Sequence, residues 1–204
     1  MADILLDEQA APTTPASGQG VIYAESTASK LVYKDDAGYN WGYHRRVSVA
    51  DQAPGAADAY ITNSGLLIPS FGMQAGMVCF WTIGASKTAA STATAAWTVR
   101  IGSAQTTADT SRLVLTMGAQ SAVADTGIIT VMVTVRNVGA AGVLSGSVAA
   151  AGNHAAAVGF GNAVSANSSS YDNSAQQGLF VGLSVNCGAS AAWTLTQCVG
   201  ELLY

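Results

Sequence analysis

The chain has 204 residues and a formal net charge of −4; 50% of its residues are hydrophobic and only 10% are charged. Globular domains usually carry about 25% charged residues, so much of the surface is expected to be covered by other subunits, the alternative being a surface rich in Ala, Gly, Ser and Thr. The same composition argues against a nucleic-acid binder: His44-Arg45-Arg46 is the one basic cluster, and it is too short to track a phosphate backbone.

The charge sits at the front. Residues 1–58 hold 8 of the 12 acids and 4 of the 8 bases, and the rest of the chain is neutral. Asp3, Asp7 and Glu8 stand where a secretory signal would carry positive charge, so no signal peptide is read. Residues 1–20 pass from an apolar patch, Ile4, Leu5 and Leu6, into a linker in which Pro12 and Pro15 favour extended backbone and Gly18 and Gly20 loosen it. Two readings stay open for this arm: a disordered tail, or a segment whose apolar patch orders on a neighbouring subunit or partner.

Residues 21–46 read as a small β-hairpin module. VIYAES and KLVYKDD are short strand patterns, and Asp35-Asp36-Ala37-Gly38 makes the turn that follows. Tyr39, Trp41 and Tyr43 alternate on one face; such a row serves either as the core of a small ribbon or as a platform for a glycan.

From residue 47 to 204 the pattern is strands and turns. Residues 51–57 read as a loop, 60–69 as a strand with Pro69 near its end, 76–84 as a buried strand and 85–94 as a small-residue loop. Residues 97–116 form a hairpin: Trp97, Val99 and Ile101 share one face of the first arm, and Leu113 and Leu115 share one face of the second. Residues 127–138 are the longest strand, with Ile129, Val131, Val133 and Val135 on one face. Residues 142–151 and 155–164 are poorly patterned, 167–177 form a polar loop, and 179–187 and 193–204 close the chain as strands. Many short strands with regular turn signals predict an all-β, jelly-roll-like sandwich over 47–204. The uncharged stretch 59–86 is broken by Pro69, Gly72, Gln74 and Gly76, so strands fit it better than a membrane-spanning helix, and no membrane insertion is expected.

Reaction chemistry is hard to find. His44 and His154 lie far apart with no ligand spacing, and Cys79, Cys187 and Cys198 form no metal motif, so no metal or cofactor is expected. The three cysteines read as buried thiols, with a bond between Cys187 and Cys198 left open. Asp109, Asp125 and Asp172 sit in turn-like sequence, where bonding to local backbone is the usual role, and Arg100 and Arg112 are candidate partners for Asp109, Asp125 or Glu201. Glu201 is also placed within reach of Arg136 as an alternative to Arg100. Ser145 and Ser147 lack the strand-to-helix elbow of a nucleophilic serine. No enzyme is expected.

The run APTTPASGQGVIYAESTASKLVYKDDAGYNWGY resembles a module of tailed-bacteriophage virion proteins, in which a Pro/Gly-rich lead enters a strand ending in Tyr and a Lys-Asp-Asp-x-Gly turn follows. The matching residues are Pro12, Pro15, Gly18, Gly20, Tyr23, Leu31, Lys34, Asp35, Asp36 and Gly38, and the run covers about a sixth of the chain. The WTVRIG hairpin and the closing TLTQCVGELL are similar, more loosely, to β domains of the same group. The resemblance implies a virion structural protein assembled in the host cytoplasm, commonly a homotrimer. It fits a capsid decoration or cement protein bound to the major capsid protein through Ile4, Leu5 and Leu6. The alternative is a tail-fibre or head-fibre protein that holds a host-surface glycan through Tyr39, Trp41 and Tyr43 or through the 167–177 loop.

Overall fold

The computed structural model describes residues 8–25, 30–34, 40–41, 44–90, 92–152, 159–188 and 193–203, with backbone alone at residues 8–9, 25, 30–31, 40–41, 44 and 152. Every regular element among them is a strand. Four lie at the front: β1 (Glu8–Gln9), β2 (Val21–Glu25), β3 (Lys30–Lys34) and β4 (Asn40–Trp41). Next come β5 (His44–Ser48), β6 (Ala59–Tyr60), β7 (Leu66–Leu67), β8 (Val78–Lys87), β9 (Thr94–Gly102) and β10 (Thr110–Ala119). The rest are β11 (Asp125–Asn137), β12 (Val143–Gly152), β13 (Val164–Asn167), β14 (Phe180–Asn186) and β15 (Trp193–Leu203).

The first four strands make a sheet of their own, in the order β1-β2-β3-β4. Its β2–β3 pair is the expected hairpin, with Tyr23 opposite Val32 and both side chains buried. Lys34 Nζ donates to the carbonyl of Pro12 at 2.7 Å, which ties the linker back onto this sheet. β5 (His44–Ser48) pairs with β15 and so lies in the sandwich.

Two sheets form that sandwich, a larger one in the order β13-β12-β11-β8-β15-β5 and a smaller one in the order β10-β9-β14-β6, with β7 also on β14. The pairing is nested. β8 pairs with β15 and β9 with β14, β11 and β12 form the inner hairpin, and β10 lies against β12 and β13 across the sheets. That nesting makes the all-β sandwich jelly-roll-like; an additional β8–β11 pairing welds the larger sheet together.

Alternation explains the packing. In the 97–116 hairpin, Val99 faces Leu113 and Trp97 faces Leu115, and all four side chains are buried as the sequence predicts. Ile129, Val131, Val133 and Val135 of β11 enter the same core. Trp81, Trp97 and Trp193 are fully buried, and Phe160 meets the Trp193 ring edge-on at 4.9 Å between centroids. Gly200 makes room for one of them: a Cβ there would lie 2.8 Å from the Trp81 indole.

Several polar groups inside the sandwich are matched, although the Trp97 indole N–H is buried without a hydrogen-bond partner. Trp193 Nε1 donates to Gln120 Oε1 at 2.8 Å, while Gln120 Nε2 donates to the carbonyls of Ala93 and Cys187, each at 2.8 Å. Trp81 Nε1 donates to Ser64 O at 2.8 Å, and the Ser64 hydroxyl accepts from Leu183 N at 3.0 Å. Lys87 Nζ is buried and donates to the carbonyls of Thr88, Ser121 and Val123, each at 2.9 Å. Burial pulls its pKa down, against a smaller opposing pull from Asp125.

Two expectations need correction. Residues 60–69 are two short strands, β6 and β7, because Asn63 adopts a left-handed φ of 60° and Ser64-Gly65 complete a turn. Residues 85–87 belong to β8, so the small-residue loop begins only at residue 88. Cys79, Cys187 and Cys198 are buried thiols, and Cys187 and Cys198 are not bonded to each other.

Candidate functional site

Ile4, Leu5, Leu6, Tyr39, Tyr43 and His154 lie outside the described residues. The backbone of Trp41 is in β4, opposite Tyr33. The 167–177 loop is fastened from inside: Asn173 is buried, accepts from Gly139 N at 2.8 Å and donates to Asn137 O at 3.1 Å. Its Tyr171 ring is covered by the Arg112 guanidinium, 4.2 Å from the centroid.

The turn aspartates accept from backbone amides, which are local for Asp109 and Asp172 and partly distant for Asp125. Asp109 accepts from Ala104 N and Gln105 N at 3.0 and 2.8 Å, and Asp125 accepts from Thr126 N and Gly159 N at 2.9 and 2.8 Å. Asp172 accepts from the amide and hydroxyl of Ser174, and those bonds lower its pKa. Asp109 offers Arg100 only its backbone carbonyl, at 2.7 Å, so the ion pair of Arg100 forms elsewhere, with Asp58 at 2.5 Å. Arg45, rather than Arg100 or Arg136, stands 3.9 Å from Glu201. Among the described residues, no group of three or more His, Cys, Asp or Glu side chains is placed to hold a metal ion.

Two surface features stand out. The first is the outer face of the larger sheet. Strand register sets Ser165, Ser147, Met132, Phe80, Glu201 and Arg45 in one row across it. The next row is Ala149, Thr130, Thr82, Val199 and Val47. From β13 to β8 these rows carry no charge; Glu201 and Arg45 lie beyond, on β15 and β5. Ile128 and Met132, at the middle of the face, are 46% and 45% exposed.

The second is a polar cleft of about 550 Å³ lined by Arg46 of β5, by Asp58, Ala59, Tyr60, Thr62 and Asn63, and by Gln105, Thr106 and Thr107. Behind it Arg100 is fully engaged. Its Nε donates to Ser184 Oγ at 2.8 Å, one Nη to the carbonyls of Thr107 and Asp109, and the other to Asp58 Oδ2. Ser184 Oγ also donates to Asp58 Oδ2, at 3.0 Å. The other Asp58 oxygen and the Tyr60 hydroxyl are buried with no hydrogen-bond partner of proper geometry, and burial pushes the Tyr60 pKa up. Arg46 closes one side: its Nε donates to Gly65 O at 3.2 Å, an Nη donates to Gln105 Oε1 at 3.3 Å, and the guanidinium lies 6.0 Å from the Phe180 centroid.

No protein-family model matches the chain, and no curated protein matches it either.

Proposed function

We propose that the protein is a non-enzymatic structural subunit of a tailed-phage virion, a decoration or cement protein that caps the capsid shell as a homo-oligomer. The observation that carries this reading is the outer face of the larger sheet. It has Met132 and Ile128 exposed at its centre, and the two rows through Met132 and Thr130 carry no charged side chain from β13 to β8; the charge on this part of the face, Arg136, lies at the end of β11. Those central rows can lie against another copy of the subunit without like-charge repulsion. At about 3.4 Å per residue and about 4.8 Å between strands, the strands of this sheet, from 4 residues in β13 to 13 in β11, cover about 860 Å², close to the roughly 800 Å² that one partner contributes to a standard interface.

The arm with Ile4, Leu5 and Leu6 supplies the shell contact in this reading, and a trimer is the state implied by the resemblance to phage virion proteins. Adding purified protein to shells that lack it, followed by sedimentation, tests the role: stoichiometric co-sedimentation supports it, and protein left in the supernatant abandons it. Deleting residues 1–7 should abolish the binding and leave the oligomer intact. The polar cleft favours a second reading, a receptor-binding protein on a tail or head fibre.

A further inference from the structure

Three independent features meet at the polar cleft. The two non-glycine residues with left-handed backbone among the described residues, Asn63 (φ 60°) and Gln105 (φ 52°), both line it. Residues held in that region cost on the order of 1 kcal/mol or more and cluster where ligands are gripped. A buried polar atom without a hydrogen-bond partner, Asp58 Oδ1, belongs to a residue of the same wall, and the Tyr60 hydroxyl beside it has only Ser64 nearby, in poor geometry. Arg46 is exposed, pairs with no carboxylate among the described residues, and uses only Nε and one Nη.

The chemistry of the lining selects a ligand class. The Asp58 charge is taken up by Arg100, so Arg46 is the cation that the cleft offers to solvent. A guanidinium with spare N–H groups grips a carboxylate or phosphate through paired charge-assisted bonds. Around it, Thr62, Asn63, Thr106 and Thr107 are exposed hydroxyl and amide side chains suited to a ligand rich in hydroxyl groups. Arg46 is positioned by the Gly65 carbonyl and by Gln105, so part of its ordering cost is met before a ligand arrives.

We propose that this cleft binds an acidic saccharide, with Arg46 holding the anionic group and the 62–63 and 106–107 turns holding ring hydroxyls. The proposal rests on the cleft alone, so loss of shell binding would leave it untouched. The test is saturation-transfer NMR on the full chain with N-acetylneuraminic acid, glucuronic acid, glucose and inorganic phosphate as separate probes at millimolar concentration. Transfer to at least one acidic sugar, at least about tenfold weaker binding of glucose, and no displacement of that sugar by equimolar phosphate are expected.

Arg46→Gln should weaken acidic-sugar binding at least about tenfold and Thr62→Val by a smaller factor, both with an unchanged melting temperature. Arg45→Gln, altering the neighbour paired with Glu201, should leave binding as it is. No transfer to either acidic sugar, equal binding of glucose, competition by phosphate alone, or an Arg45→Gln loss as large as that of Arg46→Gln would each overturn the proposal.

Discussion

Gln120 is the residue whose loss should be felt most for its size. Its amide joins the Trp193 indole to the carbonyls of Ala93 and Cys187, so one side chain links β15, the segment before β9 and the end of β14. Gln120→Met keeps the volume but leaves the indole N–H buried and unpaired and takes one donor away from each of the Cys187 and Ala93 carbonyls. Each such loss costs about 1–3 kcal/mol, giving about 3–5 kcal/mol in total, a large share of the roughly 5–15 kcal/mol that holds a domain folded. Urea unfolding followed by tryptophan fluorescence, at one fixed protein concentration, measures it. Trp193→Phe removes the donor, so Gln120→Met should cost about 1–2 kcal/mol less in that background. A loss below about 1 kcal/mol, or strict additivity of the two changes, would refute the clamp.

Other outcomes follow from the same packing. Burial pushes the Cys79, Cys187 and Cys198 thiols up to about 12, so none should react with a thiol reagent at pH 8 until the chain is unfolded, when all three should. Unfolded thiols ionise near 9, and between 9 and about 12 the native state therefore keeps protons that the unfolded chain has released. Stability is whole below 9 and falls as pH rises, by up to about 4 kcal/mol per unit for three thiols; the single Lys87, shifted down, opposes this weakly. An alkaline denaturation series checks the sign. Asp109→Ala frees the Ala104 and Gln105 amides and should cost about 1–3 kcal/mol in chemical unfolding. Gly200→Ala drives a methyl against the Trp81 indole and should cost about 1–3 kcal/mol by the same assay.

What could be read from the sequence was whatever alternation alone decides. The 97–116 hairpin and β11 carry large apolar side chains at every second position, so their core face follows from period two. β12 resisted because the residues it needs are small: a Cβ on Gly146 would lie 2.6 Å from Leu113, and Ala and Ser fill most of the rest. The pair Arg100–Asp58 was hidden by competition, since the Asp109 carboxylate is occupied by two amides and only geometry reveals it. The cleft draws on β5, the 58–63 turn and the 105–107 turn, and Arg46 and Gln105 meet across 59 residues. Its one local signal was the placement of Asn63 beside Ser64-Gly65, a pattern that also marks ordinary turns.

The central claim is that this domain is built to pack against copies of itself through the uncharged centre of the larger sheet's outer face. Sedimentation velocity of the full chain at micromolar concentration, beside Met132→Arg, tests it most directly. A homo-oligomer, with trimer as the expected state, dissociating to a folded monomer in Met132→Arg is the predicted result. A monomeric parent chain, or an oligomer indifferent to a charge at the centre of that face, would contradict it.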